Sequence, residues 1–213
     1  IRIFEPASKL RSLELMEWIP TGIGMMKYVN PKESYKDGTV YPKVDPAIRY
    51  ADILLMYAEA LNELTSTYQV ASWDGSETYT VSRDIAAMKA AVLPVRLRAG
   101  LPNFDEIGTG DPYQNPDELR NAIKRERQVE FLGENQRYYD LRRWKDAPEE
   151  ESQMIYGCNT TVPREYRDFF HEQVVVPSVQ TSWSTKKYFW PVPYDELKRN
   201  ARLTQAPGWP SFD

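Results

Sequence analysis

The sequence is poor in the residues that build metal centres and nucleophilic active sites. Its 213 residues include one histidine, His171, and one cysteine, Cys158. One imidazole and one thiol cannot supply a typical zinc site, and no G-x-S-x-G motif accompanies His171 to suggest a catalytic triad. A lone cysteine also excludes an intramolecular disulfide. We therefore expect no metal, no cofactor and no enzyme activity, and leave a structural calcium ion open.

Two further absences concern membranes and nucleic acids. No apolar run reaches the ~18 residues of a membrane-spanning helix, and the first residues lack the pattern of a signal peptide. The 27 Lys and Arg against 31 Asp and Glu give a net charge of −4, and no basic run is present. A nucleic-acid partner is therefore not expected. With 41% apolar and 13% aromatic residues, the chain can bury a sizeable core.

Apolar residues recur at helical spacing in much of the remaining sequence. Helices are predicted over residues 46–64, 82–93, 115–134 and 136–145, with shorter ones at 9–18 and 195–200. Asn115, Pro116 and Glu118 form a capping-box signal, and Asn135 suits a left-handed helix end. Residues 65–80 are interpreted as a loop, and 173–176 as a possible strand. The pattern predicts an all-α chain of helix hairpins with long irregular loops.

Charged residues are concentrated in the segment 124–143. Paired carboxylates there could serve a glycosidase as general acid and base. Nearby guanidinium groups would instead hold such carboxylates ionised. A general acid must carry a proton, so these carboxylates are poorly suited to that role. We interpret the segment as a structural ion-pair network that locks its two predicted helices together. The network consists of Glu126, Arg127, Glu130, Arg137 and Asp140.

Four blocks of sequence, at residues 49–63, 95–101, 123–144 and 189–209, stand out by their motifs. In the same order, they resemble the C-terminal half of SusD/RagB-type glycan-binding lipoproteins. The third block resembles the family pattern I..ER..EL..EG.R..DL.RW, and the fourth resembles PIP..E...NP.L.QNPG. Asn135 departs from the usual glycine, and Gly133 stands where an aromatic or aliphatic residue is usual.

The resemblance implies a lipoprotein on the outer-membrane surface of a Gram-negative bacterium. Such proteins bind glycan without cleaving it and pass it to a SusC-like TonB-dependent transporter. The implied fold has tetratricopeptide-like helix hairpins. Residues 1–213 are then expected to be the C-terminal region of a longer chain whose lipid anchor lies outside this sequence. Within it, 1–45 would be an irregular lead-in, 46–145 a helical scaffold, and 146–213 loops with a short helix.

An alternative reading of the helix pattern is a helical-repeat module that binds a protein and no sugar. The two readings differ in where they place aromatic side chains. A protein-binding repeat is expected to use a groove between helices, whereas a sugar binder is expected to use loops.

Sugar recognition requires flat aromatic faces and polar side chains on loops that a rigid scaffold holds in place. Trp73, with Asp74 and Tyr79 beside it in the predicted loop, is the first candidate. Trp183, in a segment rich in Ser and Thr, is the second, and Tyr113 and Trp18 are weaker candidates. Each ring could instead anchor its loop on the helices. Packing roles are expected for the tryptophans in the family-like blocks, namely Trp144, Trp190 and Trp209.

Overall fold

The structure of the protein is a computed structural model that describes residues 2–3, 21, 23–25, 27–28, 30–34, 36–159 and 172–211. The chain divides into two compact units. Pro42–Arg137 forms the helical unit, and Ile1–Tyr41 together with Tyr138–Asp213 forms the mixed unit. The helix predicted at 9–18, Trp18 and His171 lie outside the described residues.

Helices dominate the described elements, and short strands occur in pairs. In chain order the elements are β1 (Arg2–Ile3), β2 (Ile23–Gly24), α1 (Tyr50–Asn62), β3 (Tyr68–Ala71), β4 (Thr78–Val81), α2 (Ile85–Arg98), α3 (Pro116–Glu130), α4 (Gln136–Trp144), α5 (Ala147–Glu150), β5 (Tyr156–Cys158), β6 (Gln173–Val175) and α6 (Tyr194–Arg199). Single 3₁₀ turns lie at Phe104–Glu106, Pro112–Gln114, Pro177–Val179 and Thr185–Tyr188. The prediction of a helical fold is confirmed, although all-α is too strict a description.

The helical unit is built around one apolar core. Residues spaced three and four apart on α1, α2 and α3 face this core, as expected for amphipathic helices. Two 3₁₀ turns each add one aromatic ring. The buried residues are Leu55, Ala58, Leu61, Met88, Ala91, Val92, Val95, Phe104, Tyr113, Leu119, Ile123 and Phe131.

The start of α3 follows its local sequence signal. Asn115 Oδ1 accepts a hydrogen bond from the backbone N of Asp117 at 3.0 Å, and Pro116 occupies the first helical position. The helix ends at Glu130, before the predicted end at 134. Asn135 has a φ of 64°, the left-handed conformation that the sequence predicted.

The bounds of α1 and α2 differ from the prediction. α1 begins at Tyr50 and not at 46, because Arg49 has an extended backbone (φ −112°, ψ 153°). α2 begins after Asp84, whose side chain accepts a hydrogen bond from Ala87 N at 3.0 Å. Pro94 lies inside α2 and does not end it. A proline removes one helical hydrogen bond, but the residues directly after Pro94 are buried and hold the last turn in place.

Residues 65–80 contain a β-hairpin where the sequence predicted a loop. β3 and β4 are antiparallel, with Tyr68 opposite Val81 and Val70 opposite Tyr79. β-branched and aromatic residues in alternation favour strands. Gly75, with a φ of 71°, lies in the turn between them.

The mixed unit contains the remaining short elements. β1 pairs with β2 and β5 pairs with β6, both antiparallel. α4 begins in the helical unit, and the units divide after Arg137. The possible strand at 173–176 and the helix predicted at 195–200 are confirmed as β6 and α6. Cys158, at the end of β5, is a partly buried free thiol.

Candidate ligand-binding site

The hairpin of β3 and β4 has two chemically different faces. Alternate residues of a strand point to opposite faces, and directly paired residues share a face. The aromatic face consists of Tyr68, Val70, Tyr79 and Val81. The polar face consists of Gln69, Ala71, Thr78 and Thr80.

Side chains on both faces are largely exposed, and hydrogen bonds hold some of them in place. On the polar face, Gln69 Nε2 donates to Thr80 Oγ1 at 2.9 Å, which ties the strands together. On the aromatic face, Tyr68, Val70 and Tyr79 are 44%, 48% and 50% exposed. Contiguous exposed apolar surface is typical of binding sites. The aromatic face of the hairpin is therefore a candidate ligand surface.

Trp73 and Asp74 lie in the turn of the hairpin and have different roles. Asp74 Oδ1 accepts hydrogen bonds from Ser72 Oγ (2.7 Å), Ser76 Oγ (2.7 Å) and Ser76 N (3.1 Å). These hydrogen bonds, first that from Ser72, lower the pKa of Asp74 to about 2. Trp73 is 98% exposed. Asp74 thus shapes the turn, and the turn presents the indole of Trp73 to solvent.

The tyrosine hydroxyls of the aromatic face also have partners. Tyr79 donates a short hydrogen bond to the carboxylate of Glu77, and this bond raises the pKa of Tyr79. Hydrogen bonding with Ser66, and then with Thr65, lowers the pKa of Tyr68. Both phenol rings are therefore anchored at their polar ends while their faces stay partly exposed.

Trp183 belongs to the mixed unit and has a packed environment. Its ring meets that of Tyr188 edge to face, with 4.8 Å between the ring centroids. The guanidinium of Arg142 lies 5.5 Å from the indole centroid, and Arg142 Nη1 also donates to Glu151 at 2.8 Å. This half-buried ring has the contacts of a loop anchor. The hairpin group of Trp73, Asp74 and Tyr79 does not include it.

Three other aromatic residues named from the sequence can be placed. Tyr113 is fully buried, so it is not available to a ligand, and burial raises its pKa. Trp209 packs as expected, with its indole N donating to the carbonyl oxygens of Lys186 and Phe189, both at 3.1 Å. Trp190 is 73% exposed, and its ring contacts that of Tyr138 with 5.7 Å between the centroids, so its packing is only partial.

The charged residues of α3 pair with α1 and α2. Arg127 Nη1 donates to Asp52 Oδ1 at 2.8 Å, and the two side chains are 2% and 9% exposed. Arg96 Nη1 donates to Glu126 Oε2 at 2.6 Å. These ion pairs connect α3 to both other helices of the core.

Arg49, just before α1, extends the same set of ion pairs. Its Nη1 donates to Glu130 Oε1 and its Nε to Glu134 Oε2, both at 2.8 Å. The hydrogen bond with Glu134, and then that with Glu130, raises the pKa of Arg49 against the opposing effect of burial. The sequence interpretation missed Arg49 because its partners are 81 and 85 residues away along the chain.

The last two residues of the expected network lie in α4. Asp140 Oδ1 accepts a hydrogen bond from Arg143 Nε at 2.8 Å, within the helix itself. Arg137 is partly buried and is the last residue of the helical unit. The ion pairs described for Glu126, Arg127 and Glu130 connect α3 to α2, to α1 and to Arg49 just before α1.

The described ranges contain neither a metal-binding cluster nor a membrane-spanning helix. Within them, no group of three or more His, Cys, Asp or Glu side chains is arranged to hold a metal ion. The helices in those ranges are too short or too polar to cross a bilayer.

A family model and two related proteins all indicate the same protein family. A family model described as the SusD family matches residues 13–209. The chain is 30% identical over 157 residues to SusD-like protein P2 of Formosa agariphila, covering 73% of this chain and 24% of that protein. It is 31% identical over 119 residues to SusD-like protein P38 of the same organism, covering 54% and 20%.

Solved structures give the same picture of the fold. A SusD-like protein from Bacteroides fragilis matches with a TM-score of 0.54 and 30% identity, over 81% of this chain and 28% of that one. A structure of BT4246 matches with a TM-score of 0.58 and 23% identity, over 81% and 26%. The chain therefore spans about a quarter of the length of these relatives.

Proposed function

Because the chain belongs to the SusD family, we propose that it captures oligosaccharide at the outer-membrane surface for nutrient uptake. The protein binds the glycan without cleaving it and passes it to a SusC-like TonB-dependent transporter. It is held at the membrane as a lipoprotein. The observation that carries the proposal is the nearly complete exposure of Trp73 at the tip of the hairpin.

The chemistry of the hairpin supports sugar binding. An indole ring and two tyrosine rings offer flat faces for the C–H side of a pyranose. The carboxylates of Asp74 and Glu77 are acceptors for sugar hydroxyls, and a few fixed polar groups beside apolar surface are typical of small-molecule sites. The turn is held by the hydrogen bonds of Asp74, so its backbone needs little ordering when Trp73 binds.

The scaffold part of the proposal concerns α1 and α2. We propose that they form one tetratricopeptide-like hairpin, with β3 and β4 as an insertion between its two helices. Their apolar residues share one core, which supports this pairing. Loops that a rigid scaffold positions are common places for binding residues.

A second candidate function is protein binding without sugar. One observation favours it: α1 carries exposed apolar side chains on the side away from the core. They are Tyr50, Ile53, Met56 and Tyr57. This surface suits an apolar protein partner better than a sugar chain.

A glycan array followed by titration calorimetry tests the first function. We expect the protein to bind at least one glycan, release no cleavage products, and lose at least ~10-fold in affinity on Trp73→Ala, as for an exposed hot-spot ring. Trp190→Ala, an exposed tryptophan in the mixed unit, is the matched control and should bind as the parent does. Binding to no glycan by folded protein would exclude the proposal.

The surface of α1 separates the two functions. Ile53→Glu places a charge on the exposed side of α1 and should leave glycan affinity unchanged. If the protein instead binds a purified TonB-dependent transporter in a manner that Ile53→Glu abolishes, and binds no glycan, the second candidate is correct.

A further inference from the structure

The hairpin segment has charge of one sign only. Between Thr65 and Ser82 the sequence contains Asp74 and Glu77 and no Lys, Arg or His. Both carboxylates are near the proposed ligand surface: Asp74 follows Trp73 in the turn, and Glu77 accepts the hydroxyl of Tyr79. A ligand on this surface therefore meets negative charge.

The next cation along the chain is already engaged elsewhere. Arg83 Nη2 donates to Asn62 Oδ1 at 3.0 Å and to the carbonyl of Tyr113 at 2.8 Å. These bonds hold its guanidinium against the helical unit. The basic residue before the hairpin, Arg49, is paired with two glutamates. Neither arginine is positioned to neutralise a charged group bound at the hairpin.

Anionic sugars need a different surface. Carboxylate and sulfate groups are recognised by Arg forks or Lys ammonium groups, which form short charge-assisted hydrogen bonds. Like charges brought together repel, and the net charge of −4 adds to this repulsion at low salt. Neutral sugars lose nothing from the carboxylates, which accept hydrogen bonds from their hydroxyls.

We infer that the hairpin takes an uncharged oligosaccharide along its aromatic face and Trp73, and that it discriminates against uronate-bearing and sulfated chains. This inference rests on the proposed function and narrows its substrate class. A strand of four residues is about 13 Å long, so the surface is suited to several sugar units and not to a single ring.

Calorimetry with hexasaccharides of both kinds tests the inference. The neutral probes are cellohexaose, xylohexaose, mannohexaose and laminarihexaose; the anionic probes are hexaguluronate, hexagalacturonate and a heparin hexasaccharide. We expect the best neutral probe to bind at least ~10-fold more tightly than any anionic probe at low salt, which corresponds to about 1.4 kcal/mol. Trp73→Ala should weaken that binding at least ~10-fold, and Trp190→Ala should not.

Glu77→Gln isolates the role of charge. Glutamine keeps an acceptor for the Tyr79 hydroxyl but removes the negative charge. We expect the ratio of neutral to anionic affinity to fall by a few-fold at low salt, whatever the variant does to neutral affinity itself, and to change less at high salt. An unchanged ratio at low salt would contradict the role given to charge.

The possible results separate the inference from the proposed function. If anionic probes bind as tightly as neutral ones, and Trp73→Ala weakens both, the inference is wrong and the proposed function of glycan capture still stands. Neutral binding that Trp73→Ala does not weaken also overturns it, because the site then lies elsewhere. If neither the hexasaccharides nor the glycan array yields binding to folded protein, both proposals are wrong.

Discussion

Within the helical unit, the core and the hairpin distribute charge and aromatic rings in opposite ways. In the core, Arg127 and Asp52 are buried as a pair, and Arg96 and Glu126 join α2 to α3. On the hairpin, Trp73 is exposed to solvent and Tyr79 is half exposed. Usually charge lies outside and large apolar rings lie inside.

This difference indicates that one set of residues specifies the fold and another forms the proposed ligand surface. Buried ion pairs add little net stability compared with apolar side chains, but removing one partner is costly. We therefore interpret the core pairs as specifying which helices meet. Exposed rings contribute little to folding, so the hairpin can vary its ligand surface at small cost to the core.

The largest expected effect comes from breaking a core pair. Arg127→Met leaves the Asp52 carboxylate buried without this partner, and we expect the free energy of unfolding to fall by about 3–5 kcal/mol. Arg120, in the same helix as Arg127, forms a more exposed ion pair with Glu63. We expect Arg120→Met to lower the free energy of unfolding by less than about 1 kcal/mol. Urea unfolding followed by circular dichroism measures both. Similar losses for the two variants would contradict the distinction between buried and exposed pairs.

A second pair of variants compares the two regions directly. Leu55→Ala removes a fully buried side chain of α1 and should lower the free energy of unfolding by about 2–5 kcal/mol. Trp73→Ala removes a larger side chain but should change it by no more than about 0.5 kcal/mol. Urea midpoints at constant m-value test this. A large loss for Trp73→Ala would show that the indole packs on the protein.

The smallest expected effect is local and depends on pH. The folded pKa of Asp74 is about 2, below the ordinary 3.8. The carboxylate therefore supports the turn fully above about pH 4, and this support is lost as the pH falls through 2. Chemical shifts of the Ser76 amide, followed by NMR, should report the transition near pH 2.

Asp74→Asn is the control for this titration. The asparagine Oδ1 can accept the same hydrogen bonds, but it has no charge to lose in acid. The transition of the Ser76 shift near pH 2 should then be absent from this variant, and any transition that both proteins share belongs to another group, such as the neighbouring Glu77 carboxyl. A transition near pH 2 that persists in Asp74→Asn would show that it does not come from Asp74.

The sequence predicted those elements whose signals are local. The start of α3 depends on Asn115 and Pro116, which are neighbours, and the left-handed Asn135 follows from its own residue type. The start of α1 was missed because Arg49 has an extended backbone, and its side chain is held by glutamates more than eighty residues away. A pattern of nearby residues does not contain that information.

The candidate site was partly predictable for similar reasons. Trp73, Asp74 and Tyr79 were identified by type and by their polar surroundings. The hairpin that organises them was missed, although alternation in 68–71 and 78–81 around Gly75 was a readable strand signal. The contacts of Trp183 and the partners of α3 depend on tertiary packing, which residue type does not reveal.

The pairing of β3 with β4 has a consequence for how this segment can change between relatives. Inserting or deleting one residue in the turn, with the pairing shifted to match, would move one strand's side chains to the opposite face. Tyr79 would then leave the face of Tyr68 and Val70. Substitutions in the turn carry no such penalty. We therefore expect the length of the turn to be more constrained in evolution than most of its residue identities.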